Sequence, residues 1–190
     1  MQTLIYMIRH GESTANPTLR HAGWAQIPLT KKGEQEALIA REKLKGITFD
    51  AVYSSDLLRA LQTKEIALPD VPFEQTPLLR EIHVGELSGK LPDECVALYG
   101  EKYITDKAQA DYRPYGGENR EAHLARAIAF LQLLEKSPVP RVAAFCHEGT
   151  LRRTLEYVEG IGPTKRHCKN GGVCIFAYKE NAWHLVKWDD

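Results

Sequence analysis

The sequence predicts an α/β fold in which a mostly parallel sheet lies between two layers of helices, a three-layer αβα sandwich. Short apolar runs of strand length alternate with longer segments of helical periodicity along much of the 190 residues. This alternation is typical of parallel sheets that are covered by helices on both faces. Three of the predicted strands also end in polar clusters, at the position where open α/β sheets bind ligands.

The predicted strands share a run of apolar and β-branched residues bounded by turn residues. They cover residues 3–8, 49–53, 142–146, 173–178 and 182–187. The predicted helices combine helical spacing of apolar residues with start or stop signals. They cover residues 31–45, 57–68, 119–136 and about 150–158.

Two of these helices have a predicted apolar face. For the helix over 31–45, Thr30 is the predicted N-cap, and we expect Leu38, Ile39 and Leu44 to face the core. In the helix over 119–136, apolar residues recur at the spacing of an amphipathic helix. They are Leu124, Ile128, Leu131 and Leu134.

The chain length fits a single domain over residues 1–190. Residues 70–118 are rich in proline and glycine and less regular than the rest. We interpret this segment as an insertion that carries one or two short helices, with one at about 92–99.

Composition excludes several classes of protein. Basic and acidic residues number 25 each, which argues against a nucleic-acid or membrane partner bound by bulk charge. No apolar stretch approaches the roughly 20 residues of a membrane span, and the N-terminus does not have the pattern of a signal peptide. None of the four cysteines forms a C-x-x-C pair. We therefore expect a cytoplasmic protein.

Polar residues follow three of the predicted strands. Arg9 and His10 follow the first, Ser54–Ser55 follows the second with Arg59 close behind, and His147 follows the third. Because the carboxyl ends of parallel strands lie at one edge of a sheet, these side chains can converge on one ligand.

His10 is the candidate nucleophile, because an imidazole nitrogen can attack phosphorus and hold the phosphoryl group. Attack requires a neutral ring whose other nitrogen donates to a backbone carbonyl. Arg9 and Arg59 are candidate phosphate clamps, since two guanidinium groups can stabilise a transferring phosphoryl group without a metal ion. Taken singly, a histidine bonded to local backbone and arginines in surface ion pairs are the more common situations.

Two further residues complete the candidate site. His147 could donate a hydrogen bond to a transferring oxygen, or could be a core or cap histidine. Glu81 could protonate a leaving alkoxide and later activate water, although Arg80, His83 and Glu86 offer rival assignments. Taken alone, a carboxylate such as Glu81 is more often solvated or paired.

Six segments of the chain together resemble the histidine phosphatase superfamily, also called the phosphoglycerate mutase-like proteins. In chain order they are RHGESTAN at 9–16, PLTKKGEQEA at 28–37, YSSDLLRALQT at 53–63, LREIHVGELSG at 79–89, GGEN at 116–119 and CHEGTLR at 146–152. Each segment alone is weak evidence. Six in the same order along nearly the whole chain are specific, and they favour the functional interpretation of the residues above.

The resemblance implies a phosphoglycerate mutase-like fold and a set of site residues. They are Arg9, His10, Arg59 and His147 around the phosphate, Glu81 as proton donor, and Asn16 with the backbone of Glu118 and Asn119 binding phosphate or substrate. Asn119 stands where serine is usual. Gln26–Ile27 replaces the usual aspartate before the proline, in a loop that we expect to lie far from the reacting phosphorus. Glu148 is expected to act only as a helix N-terminal acid.

The resemblance favours a metal-independent phosphomonoesterase that needs no cofactor and acts on a small phosphorylated metabolite through a phosphohistidine. The broad-specificity and α-ribazole phosphate phosphatases are the most similar members in length and motif style. The superfamily's mutases are usually longer, and the glycolytic ones carry tryptophan where this chain has Ala15. The alternatives are a phosphoglycerate mutase and a non-catalytic phospholigand-binding module.

Substrate selectivity is expected to lie within residues 80–119. Several large side chains there could line the mouth of the pocket, or could equally be packing residues. They are His83, Tyr99, Tyr103, Tyr112, Arg113 and Tyr115. The sequence is compatible with a monomer or a homodimer.

Overall fold

The computed structural model describes residues 2–190 and contains one six-stranded sheet. Its strands are β1 (Thr3–Arg9), β2 (Ala51–Ser54), β3 (Glu74–Gln75), β4 (Arg141–Cys146), β5 (Val173–Lys179) and β6 (Ala182–Lys187). Their order in the sheet is β3-β2-β4-β1-β5-β6. The pairs β2–β3, β2–β4 and β1–β4 are parallel, whereas β1–β5 and β5–β6 are antiparallel. The predicted α/β fold with a mostly parallel sheet is confirmed.

Helices cover both faces of the sheet. They are α1 (Lys31–Leu44), α2 (Leu58–Ala67), α3 (Pro92–Tyr99), α4 (Glu101–Gln109), α5 (Arg120–Lys136) and α6 (Glu148–Glu159). Within the described residues, no helix combines the length and hydropathy that crossing a bilayer requires.

Strand β4 shows how the two layers of helices are attached. Val142 and Ala144 belong to a core formed with side chains of α5 and α6, whereas Ala143 and Phe145 belong to a second core formed with α1 and α2. Alternate residues of a strand point to opposite faces, so a continuous apolar run packs against helices on both sides. Burying a side chain such as Phe145 contributes about 1.5–3 kcal/mol.

The face that α1 buries differs from the prediction. Leu44 is buried as expected, but Leu38 and Ile39 are 39% and 55% exposed. The small side chains of Ala37 and Ala40 are fully buried instead. Small residues let the helix backbone approach its neighbours closely, so apolar spacing alone selected the wrong side of this helix.

The first turn of α1 packs directly against the loop after β1. Thr30 caps the helix as predicted, because its side chain accepts from the N–H of Gly33. A Cβ atom on Gly33 would lie 2.0 Å from the carbonyl oxygen of Glu12, so only glycine permits this approach. The Glu12 side chain accepts from Thr30 and Lys32. This contact fixes the loop that carries His10.

In α5 the buried stripe is rotated from the predicted one. Leu131 and Leu134 are buried, whereas Leu124 and Ile128 are only partly buried. The rest of the stripe is formed by His123, Ala127 and Phe130. A buried histidine on this stripe brings a titratable group to the inner side of α5.

The insertion has a small core of its own. Helix α3 matches the predicted helix at 92–99, and α4 follows it at a position that the sequence did not indicate. Tyr103, Tyr112 and Tyr115 are buried in a cluster with Val84, Leu87 and Cys95. For Tyr103 and Tyr115 the packing alternative is therefore the one observed, whereas Tyr112 also lines a small cleft beside Glu81. The assignment of the whole chain to one domain stays a prediction.

Candidate active site

The carboxyl ends of β1, β4 and β2 lie side by side, as predicted, and bring together residues far apart in the chain. The His10 N–H donates to the Cys146 carbonyl, and the Ser55 N–H donates to the Phe145 carbonyl. The rings of His10 and His147 are 5.0 Å apart between centroids. The four predicted phosphate-site residues Arg9, His10, Arg59 and His147 are all buried.

The two ring nitrogens of His10 have different roles. Its Nδ1 donates to the carbonyl of Gly11 at 2.7 Å, as predicted, which places the lone pair on Nε2. Burial lowers the pKa of His10 well below its ordinary value, and the charge of Arg59 lowers it further. The ring is therefore neutral at neutral pH.

Arg59 lies directly against that lone pair. Its Nε donates to Nε2 of His10 at 3.2 Å, and its two terminal nitrogens donate to the carbonyls of Ala25 and Gly23 at 3.1 and 2.9 Å. Burial lowers the pKa of Arg59 to about 10, so the guanidinium group stays a cation at neutral pH. Three contacts fix its plane beside His10.

These contacts correct the expectation that the loop around Gln26 lies far from the reacting centre. The carbonyls of Gly23 and Ala25 hold Arg59, and Oε1 of Gln26 accepts from the N–H of Leu58 at 2.7 Å. Gln26 therefore caps the start of α2, one residue before Arg59. The amide oxygen of Gln26 accepts the hydrogen bond that caps the helix. In the superfamily an aspartate is usual before the proline of this loop.

Arg9 is held from two sides. Its NH1 donates to the carbonyl of Cys168 and lies 3.3 Å from Oε2 of Glu148. Its Nε has no hydrogen-bond partner within residues 2–190. Glu148 is the first residue of α6, as expected, and it also pairs with Arg152 and His167. Glu148 therefore has two roles, since it lies at the N-terminus of α6 and also holds the side chain of Arg9.

His147 precedes α6 but its side chain does not cap that helix. Its Nε2 lies 2.9 Å from Oγ of Ser55, and its buried Nδ1 has no partner in the described part of the chain. Burial lowers the pKa of His147 well below its ordinary value, and the charge of Arg59 adds to this effect. The site therefore contains two neutral imidazoles and two cations.

Glu81 is held by two backbone donors. Oε1 accepts from its neighbour Ile82 at 2.8 Å, and Oε2 accepts from Gly149 at 3.0 Å. Burial raises the pKa of Glu81, but His123, the two N–H groups and Arg59 together bring it below its ordinary value. We expected a carboxylic acid here. The protein without substrate has a carboxylate instead.

The rival assignments around Glu81 are engaged elsewhere. Arg80 forms two hydrogen bonds to Asp56, at 2.7 and 2.5 Å. The ring of His83 stacks against Trp24 at 4.3 Å, and Glu86 is exposed and accepts from the hydroxyl of Tyr99. Of these four side chains, within the described residues, that of Glu81 accepts from a backbone N–H at the start of α6, next to His147.

Three predicted ligand-binding residues have local partners. Oδ1 of Asn16 accepts from the N–H and hydroxyl of Ser13. Glu118 pairs with Arg126 at 2.5 Å, and its N–H donates to the carbonyl of His83. Asn119 caps α5 through its side chain. The phosphate or substrate contacts of Asn16, Glu118 and Asn119 stay predictions.

Sequence reasoning missed two residues next to Glu81. Trp24 donates from its indole nitrogen to the carbonyl of Glu81 at 2.7 Å. His123 lies on α5 with its Nε2 3.2 Å from Oγ1 of Thr150, the residue after Gly149. The sequence did contain a signal that His123 is buried, because it lies four and seven residues before the apolar residues Ala127 and Phe130, which is helical spacing. For Trp24 the sequence offered none, because its partner is 57 residues away.

Comparison with known proteins agrees with this geometry. The model of the histidine phosphatase superfamily (branch 1) matches residues 5–190. The chain belongs to this superfamily. A 2,3-bisphosphoglycerate-dependent phosphoglycerate mutase of Bradyrhizobium sp. is 31% identical over an alignment of 202 positions. The alignment covers 99% of this chain and 98% of the relative.

Solved structures of similar proteins share the superfamily fold over the whole chain. Bacillus stearothermophilus YhfR has a TM-score of 0.90 and 28% identity, and the match covers 99% of this chain and 98% of that one. An Escherichia coli K-12 protein described provisionally as an alpha-ribazole-5'-P phosphatase has a TM-score of 0.91 at 24% identity, covering 99% and 96% of the two chains. The phosphoglycerate mutase-like fold is thereby confirmed.

Proposed function

We propose that this protein is a metal-independent phosphomonoesterase that hydrolyses a small phosphorylated metabolite through a phosphohistidine on His10. The observation that carries the proposal is the state of His10. Its ring is neutral, Nδ1 donates to Gly11, and Nε2 holds a lone pair beside the Arg59 cation. A neutral nitrogen next to a buried cation is suited to attack the phosphorus of an anionic ester.

The two arginines would hold the phosphoryl group. Arg9 and Arg59 are buried cations, and the Nε of Arg9 and Nδ1 of His147 are buried without a partner in the described residues. A buried polar atom without a partner is costly, at about 1–3 kcal/mol. Phosphate oxygens between these groups would supply the missing partners and take up the positive charge.

The first step transfers the phosphoryl group to the protein. Nε2 of His10 forms a bond to phosphorus as the bond from phosphorus to the ester oxygen breaks. The leaving oxygen takes a proton from Glu81. Glu81 is a carboxylate without substrate, but an entering phosphate dianion raises its proton affinity and offsets the charge of Arg59. Glu81 would then carry the proton that the leaving alcohol needs.

The second step returns the histidine to its starting state. Water attacks phosphorus as the bond to Nε2 breaks, and the Glu81 carboxylate accepts the proton that water loses. The products are inorganic phosphate and an alcohol. No metal ion or other cofactor takes part in this scheme.

The first motif favours phosphatase chemistry over mutase chemistry, because Ala15 stands where the glycolytic mutases of the superfamily carry tryptophan. The charges of the insertion do not separate the two activities. Arg80, Lys102 and Arg113 pair with Asp56, Asp106 and Asp111, whereas Lys90 and Lys107 form no ion pair within the described residues. Chain length does not separate the two activities, because a relative named as a mutase aligns over 98% of its length.

Product analysis tests the proposal. The protein, dialysed against a metal chelator, is incubated with a panel of phosphorylated metabolites that includes 3-phosphoglycerate. Release of inorganic phosphate is the expected result. Formation of 2-phosphoglycerate without phosphate would support the mutase, and binding of phosphate esters with no turnover of any would support the non-catalytic module.

A further inference from the structure

The loop between β1 and α1 contacts both halves of the proposed site. The carbonyls of Gly23 and Ala25 accept from the guanidinium group of Arg59 at 2.9 and 3.1 Å. Trp24 lies between them in the chain and donates from its indole nitrogen to the carbonyl of Glu81 at 2.7 Å. Trp24 therefore joins the loop that holds the proposed clamp to the segment that carries the proposed acid.

The bond from Trp24 ends on the peptide group that also holds the Glu81 carboxylate. This peptide group consists of the carbonyl of Glu81 and the N–H of Ile82. Its N–H donates to Oε1 of Glu81 at 2.8 Å. A trans peptide group is planar, and its carbonyl and N–H point in opposite directions. A donor that fixes the carbonyl therefore also fixes the direction of the N–H, and with it the carboxylate oxygen that the N–H holds.

The same carbonyl has a second donor on its other side. Nη2 of Arg126 in α5 donates to it at 3.0 Å, and a carbonyl oxygen has two lone pairs to offer. Arg126 also donates from Nη1 to the carbonyl of Arg80 at 2.9 Å, so its donors are shared among several acceptors. If the indole N–H were lost, Arg126 would be the single donor left to this carbonyl within residues 2–190.

The indole ring is held by the residues on either side of Glu81. The guanidinium carbon of Arg80 lies 4.3 Å from the ring centre of Trp24, and the ring of His83 lies 4.3 Å from it between centroids. Arg80 is held in turn by its two hydrogen bonds to Asp56. Stacking of this kind needs only an aromatic face. A phenylalanine ring could therefore keep these contacts without donating a hydrogen bond.

We propose that Trp24 is a positioning residue that orients the Glu81 carboxylate through the peptide group between Glu81 and Ile82. This inference rests on the proposed function, in which Glu81 protonates the leaving group. The indole acts through Glu81 and is not required to touch the substrate. Because a poor leaving group depends on that proton more than nitrophenolate does, the contribution of Trp24 is largest for esters of poor leaving groups.

The position of Trp24 in the loop also separates its two possible effects. A displaced Trp24 would loosen the carbonyls of Gly23 and Ala25, which hold Arg59. Arg59 would bind the phosphoryl group that all monoesters share, so this effect falls alike on every ester. The ratio of kcat/KM between two esters with different leaving groups therefore isolates the effect on Glu81.

Three variants test the role of the indole N–H. Trp24→Phe keeps an aromatic ring, Trp24→Leu removes ring and donor, and Trp183→Phe is a matched change in β6, where the indole donates to Glu135. We expect Trp24→Phe to lower the ratio of kcat/KM for phenyl phosphate to that for 4-nitrophenyl phosphate about 10-fold, and Trp183→Phe to leave it unchanged. An unchanged ratio in Trp24→Phe overturns the inference. A loss confined to Trp24→Leu also overturns it, because packing alone would give that result.

A double variant shows whether Trp24 acts through Glu81. With no carboxylic acid left to orient, Trp24→Phe added to Glu81→Gln should lower kcat/KM for phenyl phosphate by no more than the loss that Trp24→Phe alone causes with 4-nitrophenyl phosphate. Independent, multiplying losses with phenyl phosphate would mean that the two residues act separately, which contradicts the proposal.

A third measurement needs no turnover. The backbone amide proton of Ile82, followed by NMR in nitrogen-15-labelled protein, reports the charge-assisted hydrogen bond to Glu81. We expect Trp24→Phe to move this resonance upfield, towards its position in Glu81→Gln, and Trp183→Phe to leave it in place. An unmoved resonance in Trp24→Phe refutes the inference. If no form of the protein hydrolyses either ester, the proposed function fails instead, and the Ile82 resonance still decides whether Trp24 orients Glu81.

Discussion

Nε of Arg59 lies 3.2 Å from Nε2 of His10, so the side chain that would clamp the phosphate also donates to the nitrogen that would attack it. This contact holds the imidazole neutral and oriented before substrate arrives. It also means that a phosphate must draw Arg59 away from His10 as it binds. The proposed nucleophile and the proposed clamp therefore form one hydrogen-bonded unit.

Replacing the nucleophile should stop the reaction. We expect His10→Ala to lose turnover of 4-nitrophenyl phosphate and to lose any acid-labile, base-stable phosphoprotein trapped with labelled substrate. His184→Ala, at an exposed histidine of β6, is the control and should retain both. Substantial hydrolysis by His10→Ala would remove the phosphohistidine from the scheme.

Arg59 should not be replaceable by lysine. The guanidinium group donates to Gly23, Ala25 and His10 at the same time, which a single ammonium group cannot reproduce. We expect Arg59→Lys to lower kcat/KM for 4-nitrophenyl phosphate about 100-fold. Arg113→Lys, in an exposed pair with Asp111, is the matched control. Equal activity of the two variants would argue against the clamp.

The role of Glu81 is tested through the leaving group. We expect Glu81→Gln to lower kcat/KM for phenyl phosphate about 100-fold and for 4-nitrophenyl phosphate far less, because nitrophenolate needs little protonation. The ratio kcat/KM is the right quantity, since it reports the first step and is blind to the later hydrolysis of the phosphohistidine. Glu86→Gln, at an exposed carboxylate in the same segment, should behave as wild type. Equal losses on both esters would contradict the acid role.

Gly149 should be required because it leaves room for the Glu81 carboxylate. A Cβ atom there would lie 1.9 Å from Oε1 of Glu81, so Gly149→Ala must displace the carboxylate. We expect the leaving-group dependence of Glu81→Gln to reappear in this variant, with the fold retained. Gly162→Ala adds a methyl group where no other atom lies within 4 Å and serves as the control. Identical kinetics of both alanine variants would show that Glu81 is not held as described.

Stability should fall in acid because buried histidines must stay neutral. The pKa of His123 is lowered by burial to about 4, against about 6.5 in an unfolded chain. The unfolded state therefore binds a proton first, and stability present above pH 6.5 is lost as pH falls towards 4, by about 3 kcal/mol for this residue.

Urea unfolding at several pH values checks this. Compared with wild type, His123→Gln should show a shallower decline of the unfolding free energy between about pH 6.5 and 4, because His10 and His147 still contribute. His184→Gln should follow wild type. Parallel curves for all three proteins would show that His123 titrates as it does in the unfolded chain.

Much of the fold and part of the site could be predicted from local patterns. Strand-length apolar runs predict β1, β2 and β4, and polar residues at their ends predict that His10, Arg59 and His147 converge. These predictions succeed because periodicity and strand direction depend on residues close together in the chain. The hydrogen bond from His10 to Gly11 is of the same kind, since its partners are neighbours.

Other features depend on contacts between distant segments and carry no local pattern. Leu38 and Ile39 are exposed because α1 packs through its alanines. Arg59 is held by carbonyls of the loop before Gln26, more than 30 residues earlier in the chain. Burial raises the pKa of Glu81, but the N–H groups of Ile82 and Gly149 and the Arg59 cation, which come from separate segments, keep it a carboxylate. The sequence by itself determined which site residues follow the strands and can therefore lie close together. Only the tertiary structure decided their protonation and orientation, because these depend on burial and on partners from distant segments.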